Sequence, residues 1–150
     1  MAWQDSERKL TPRYRTIRHT ADKAIFAWGR NLPELFENSA YGMFSLIADI
    51  RKLKPEMQRE IKMKNDQEDY AILLADWLGE LLYIFDAEKI LFCQFKVESV
   101  DEKGVNSICG GVRVRPDLPW RGSYVKGVTY HRLRIEKKGQ LYRATLFFDV

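Results

Sequence analysis

Histidine and cysteine are scarce in this 150-residue chain: there are two of each, His19 and His131, Cys93 and Cys109. Two cysteines are too few for a four-ligand zinc site and too few for a disulfide scaffold. Each sits beside apolar neighbours in a strand-like run, which suits a buried, reduced thiol. Neither histidine has a serine or cysteine in an elbow context, so no nucleophilic triad is available, and both histidines read as structural strand residues. There is no phosphate-cradling glycine loop, no HExxH and no EF-hand pattern. No apolar run approaches the roughly 20 residues needed to cross a bilayer. The stretch from Met1 to Leu10 is polar and charged, which argues against a secretory signal and for a loose arm over residues 1–12. Repeats, low-complexity tracts and interior linkers are also missing, so residues 13–150 read as one domain, expected in the cytoplasm. These absences leave little room for an enzyme.

What is present is a core. Hydrophobic residues make up 45% and aromatics 13%, enough for a packed globular domain. The net charge of +4 permits contact with RNA without arguing for it. Residues 14–19 and 24–28 read as strands joined through Thr20-Ala21-Asp22-Lys23. Asn31 has the place of a helix N-cap, with Glu34 at capping-box spacing. Leu32, Phe36, Ala40, Met43 and Ile47 follow at helical intervals, and Gly42 marks close packing. Met57–Lys64 is a short strand. The strongest helix spans residues 68–85, turning Tyr70, Leu74, Trp77, Leu78, Leu81 and Phe85 toward the core. Its other face carries Asp69, Asp76 and Glu80 with Ile72 and Tyr83 among them, and reads as solvated. Residues 90–100 and 105–114 form a hairpin through Asp101-Glu102-Lys103-Gly104. Gly110-Gly111 suits a bulge. Residues 116–123 form a loop, and 124–136 pairs with 140–150 around Lys137-Lys138-Gly139. The fold class is α+β, two helices packed on antiparallel or mixed β-sheet.

The last segment carries the chemistry. From Gln140 onward there is no turn signal, so the chain ends inside an apolar strand. The α-carboxylate of Val150 is then held one residue from the Asp149 side chain. Carboxylates that close repel unless a proton, a basic side chain or a metal ion intervenes. Either register that the turn allows sets Lys126 on the face of Asp149, and only a bulge would change this. Oxygen-only ligands select hard cations: calcium, magnesium or manganese. Two carboxylates rarely suffice, so a third must come from a loop. Asp22, Asp49, Asp66 and Asp117 are alternatives that composition does not separate, and turn chemistry alone accounts for Asp22. A second reading is an RNA-binding module using residues 113–126, where Arg113, Arg115, Arg121 and Lys126 are interleaved with Trp120 and Tyr124. A third is a metal-dependent hydrolase using Asp22 and Asp149, which lacks a general base beyond His19.

Four stretches, in this order and spacing, resemble the archease family. They are His19-Thr20-Ala21-Asp22-Lys23 with Ala27-Trp28-Gly29; Leu35-Phe36-Glu37-Asn38 with Gly42-Met43-Phe44; Trp77-Leu78 with Glu80-Leu81-Leu82-Tyr83; and Lys126-Gly127-Val128-Thr129-Tyr130-His131 with Asp149-Val150. The resemblance runs from about Tyr14 to the last residue. It implies a strand-helix-strand-strand core and a chaperone-like accessory protein with no catalytic residue. The implied partner is the RtcB-type RNA ligase, which joins tRNA halves using GTP and manganese. In this role the protein promotes guanylylation of the ligase and multiple turnover, meeting tRNA only through the ligase and no membrane. The resemblance also implies a divalent cation, calcium ahead of magnesium or manganese, on Asp22, Asp149 and the Val150 carboxylate. Lys126, with Asp22 and Asp149, would serve ligase activation. Two features depart from the family pattern: Gly110-Gly111 stands where Gly-Glu is expected, and residues 116–123 match no motif.

Overall fold

A computed structural model describes residues 13–17 and 23–150. The expected arm over 1–12, His19 and Asp22 lie outside the described residues. In chain order the elements are β1 (Tyr14–Ile17), β2 (Lys23–Gly29), α1 (Leu32–Ile47), a short 3-10 turn (Ile50–Lys52), β3 (Met57–Lys64), α2 (Tyr70–Glu88), β4 (Ile90–Asp101), β5 (Gly104–Arg113), β6 (Gly127–Val128), β7 (Arg134–Lys138) and β8 (Leu141–Asp149). Two sheets form, one ordered β1-β2-β8-β6 with β7 also on β8, the other β3-β5-β4. Every strand pairing is antiparallel, as the α+β reading requires. No helix among the described residues is long and apolar enough to cross a membrane.

Asn31 starts α1: its Oδ1 accepts the Glu34 N–H at 2.9 Å. The reciprocal half of the capping box is displaced by one residue, because Glu34 Oε1 accepts the N–H of Arg30 at 2.8 Å and its carboxylate also holds the Arg30 guanidinium. The helix packs on both β2 and β4, and so joins the two sheets. At Gly42 a Cβ would meet Ile25 Cδ1 at 2.7 Å, which is why glycine stands where the helix crosses the strand.

Asp69 caps α2 by accepting from the N–H groups of Ala71 and Ile72, so the helix begins two residues later than the sequence reading places it. It runs on to Glu88 and stops where Lys89 turns left-handed, at φ 59°. Leu74, Trp77, Leu78 and Leu81 are buried as expected, with Tyr70 and Phe85 partly so. Leu73, Leu82 and Ile84 are buried too, because α2 touches strands of both sheets. The acidic face is less open than expected: the Tyr130 hydroxyl donates to Asp76, although Tyr83 remains exposed. Trp77 Nε1 donates to Ser107 Oγ at 2.9 Å, and that hydroxyl donates to the Ile61 carbonyl at 2.7 Å. The polar groups of Trp77 and Ser107 are thereby paired, whereas the buried Thr145 hydroxyl has no hydrogen-bond partner among the described residues.

The β4–β5 hairpin forms as read. Asp101 pairs with Gly104, and Asp101 Oδ1 accepts from the N–H groups of Lys103 and Gly104. Phe92 lies opposite Gly111 and Gln94 opposite Gly110, so Cys93 is the extra residue of a bulge facing the two glycines. Side chains there would collide with Pro55 and Leu91, so this chain's bulge favours glycine at both positions. Both cysteines are free and buried; burial pushes the Cys93 thiol up to about 11 and Cys109 to about 12.

The last hairpin corrects the sequence reading. Residues 124–136 do not form one strand: β6 and β7 are separate, and Arg132 between them has φ 61°. His131 is consequently an exposed turn residue rather than a strand residue. Lys138 pairs with Leu141, leaving Gly139, at φ 65°, and Gln140 as the loop, one step beyond the expected turn.

Candidate functional site at the end of the central strand

β8 is the central strand of the larger sheet, with β2 on one side and β6 and β7 on the other. Its end is anchored by Phe148, which is fully buried, while Asp149 and Val150 are exposed. Burying a phenylalanine side chain stabilises by about 1.5–3 kcal/mol, enough to keep such a terminus in place. The neighbouring main chain adds to this. Lys23 lies opposite Phe148 and Gly127 opposite Asp149. The Lys126 N–H donates to the Asp149 carbonyl at 2.8 Å, and the Thr129 N–H to the Phe147 carbonyl at 2.9 Å. The apolar strand thus ends as a rigid carboxylate tip.

Lys126 reaches this tip differently from the sequence expectation. From Val128 to Arg134 is six steps, yet their partners Phe148 and Thr145 are three apart, so residues 129–133 absorb three extra positions. An odd slip reverses the face of every side chain beyond it. Gly127 therefore occupies the position opposite Asp149, and Lys126 is out of phase with it, joined through its main-chain N–H. No ion pair to Asp149 or Lys126 forms among the described residues.

The rival third ligands lie elsewhere. Asp49 accepts a bidentate contact from Arg51 at 2.9 and 3.1 Å, with Arg121 at 3.3 Å. These guanidinium groups, Arg51 first, hold its carboxyl well below the usual range. Asp117 pairs with Arg115 at 3.4 Å, and Asp66 is exposed in the turn after β3, in the other sheet. Among the described residues no three His, Cys, Asp or Glu side chains gather around one point. Asp22 lies outside them.

The basic stretch 113–126 is a braced loop rather than a row of free cations. Arg115 pairs with Glu56 at 3.1 Å. Trp120 donates its indole N–H to the Arg115 carbonyl at 2.9 Å and packs near Phe85. Main-chain bonds from Arg121 to Ile47 and from Asp49 to Pro119 pin the loop to the end of α1. Arg121 thereby joins Arg51, a neighbour that no sequence spacing announces.

The fold and this tip together define a class: a two-sheet, two-helix α+β domain whose central strand ends in an exposed carboxylate. The sequence model of the Archease protein family matches residues 14–150. The chain belongs to the archease family. It is 34% identical over 142 residues to protein archease of Methanosarcina acetivorans, covering 92% of this chain and 96% of that one. The protein archease of Sulfurisphaera tokodaii is 38% identical over 140 residues, covering 92% and 99%. Among solved structures, protein 1598 of Methanobacterium thermoautotrophicum superposes with a TM-score of 0.80 at 33% identity, covering 92% of this chain and 99% of that chain. A Thermotoga maritima protein described as "an archease, possible chaperone" shares the fold, with a TM-score of 0.64 at 18% identity over 89% of this chain and 94% of that chain.

Proposed function

We propose that this protein is a cytoplasmic, chaperone-like accessory of the RtcB-type RNA ligase, promoting its GTP-dependent guanylylation and repeated turnover. In this reading Asp22, Asp149 and the Val150 α-carboxylate hold a divalent cation, calcium ahead of magnesium or manganese. The observation that carries it is the Asp149 carboxylate, exposed on a rigid strand end with no described cation paired to it. Two further facts support it. Asp22 is bonded to Lys23, whose register partner Phe148 is bonded to Asp149. The three groups are all oxygen donors, the set that suits a hard cation.

When bound, the cation supplies positive charge for phosphate oxygens. The chain's own residues do the positioning. β8 holds the Asp149 backbone against β2 and β6, and Lys126 adds a long cationic side chain beside the tip, suited to a phosphate. The ligase supplies the chemistry and brings the tRNA to the complex.

The test is guanylylation of an RtcB-type ligase by GTP, with and without this protein. Stimulation should vanish for Asp22→Ala and for Asp149→Ala while circular dichroism stays unchanged. Residues added after Val150 should weaken it, since they remove the terminal charge. Full stimulation by a folded Asp149→Ala protein would overturn the reading.

A further inference from the structure

Four arginines from three distant parts of the chain converge at the β1 edge of the larger sheet. Arg13 and Arg15 flank the start of β1, Arg51 comes from the 3-10 turn, and Arg121 from the braced loop. All four line one open groove of about 720 Å³, together with the hydroxyls of Thr16, Tyr41 and Ser45. Among the described residues no carboxylate lines it. Asp49, just behind, is the acid paired with Arg51 and Arg121. It orients them rather than cancelling them: a guanidinium has five N–H donors, and the bidentate contact with Asp49 occupies two of Arg51's. Arg15 has no carboxylate partner among the described residues and lies over the rings of Phe26 and Trp28.

The strand edge contributes too. Among the described residues β1 pairs with β2 alone, and the Trp28 N–H bonds to the Arg13 carbonyl. Alternation along an antiparallel ladder then turns the N–H groups of Tyr14 and Thr16 off the sheet edge. Guanidinium forks, hydroxyls and outward amides are the donor set that phosphate oxygens require.

From this convergence we infer that the groove binds the phosphodiester backbone of RNA. It is open and far larger than one phosphate, which suits a chain of them. None of the exposed large hydrophobic side chains among the described residues, Tyr83, Tyr124, Tyr130 and Val150, borders it, and its described lining is cationic and hydroxylic, which suits a phosphate chain better than a lipid surface. Recognition is of the backbone and therefore independent of sequence. The groove uses Arg121 but otherwise different residues from the 113–126 stretch.

The experiment uses the full chain alone, without ligase or metal, so its outcome is separate from that of the ligase reading. Fluorescence anisotropy of a labelled single-stranded RNA of about 15 nucleotides is followed from about 50 to 200 mM salt. Wild-type affinity should fall linearly with salt on logarithmic axes. Arg15→Ala with Arg121→Ala should weaken binding roughly tenfold at the low-salt end and flatten the slope by about 1.4, at about 0.7 per lost contact. Arg15→Ala alone, which breaks no described ion pair, should flatten it by about 0.7. Asp49→Asn should tighten binding. Arg134→Ala, paired with Glu136 away from the groove, should leave the slope alone. No RNA binding by the wild type at low salt, an unchanged slope in the Arg15→Ala protein, or equal competition by polyglutamate would each overturn the inference.

Discussion

The two hairpins of this molecule answer the same problem differently. In β4–β5 the ladder runs from Ile90 opposite Arg113 to Asp101 opposite Gly104, interrupted only by two small register shifts. Its turn is sealed by the Asp101 carboxylate, and β5 is paired on both sides, by β3 as well as β4. In the last hairpin β8 is the central strand, but its partner is broken into β6 and β7, with five residues between them. β7 is exposed over much of its length and, among the described residues, pairs with β8 alone. Each hairpin has one strand paired on both sides, β5 or β8, and one edge partner. The edge strand β4 stays continuous with two bulges, whereas the edge of β8 breaks into β6 and β7, and that slip sets the residue that faces Asp149.

Four substitutions test that contrast, beginning with the largest effect. Trp77 packs over β5 and hydrogen-bonds to Ser107. Trp77→Ala should lower unfolding free energy by about 3–5 kcal/mol in urea titrations. A loss well under 1 kcal/mol would show that β5 does not depend on this cover. Gly104→Ala comes next. Gly104 has φ 152° and its Cβ would meet the Met63 carbonyl oxygen at 2.1 Å, so β3 as well as the turn must shift. The expected loss is on the order of 1–3 kcal/mol by the same measurement.

Gly139→Ala is the matched change in the other hairpin. Its φ is 65°, but nothing lies within 4 Å of the added carbon. Only the left-handed backbone is penalised, by about 1 kcal/mol. If Gly139→Ala cost as much as Gly104→Ala, the two turns would be equally constrained and the contrast would fail.

The smallest effect is electrostatic. Glu136 on β7 is held below its usual value, chiefly by Arg143 on β8, with Lys138 and Arg134 assisting. Because the folded value lies below the unfolded one, this support is complete above the unfolded value and fades as pH falls through the folded one. Protection factors of β7 amides, measured against the intrinsic exchange rate at each pH, should therefore fall on acidification before those of β5 do. Glu136→Gln should remove that difference, and a profile unchanged by the substitution would assign the effect elsewhere.

Much of this architecture was legible in local sequence. Asn31 and Asp69 mark helix starts because their short side chains accept backbone N–H groups within the next turn. Asp101-Glu102-Lys103-Gly104 specifies a turn because carboxylate and glycine meet its needs within four residues. The buried face of α2 follows from periodicity. The site was only partly legible. Asp149 and Val150 stood out because an apolar strand runs to the last residue, whereas Asp22 was singled out by family resemblance and not by spacing. Lys126 was placed on the wrong face, because parity was counted through residues 129–133 as if they were extended.

What the sequence by itself determined is therefore what neighbours within a few positions determine: the caps, the first turn of each helix, the β4–β5 hairpin and an apolar final strand. Only the tertiary structure decided the three-residue slip, the Tyr130 contact with Asp76 on the acidic side of α2, and the meeting of Arg15, Arg51 and Arg121. The last two join groups more than thirty positions apart in the chain, and the slip is set by pairings across the whole final hairpin. Such contacts are rewarded only after the intervening chain has been ordered, so local propensity carries no trace of them.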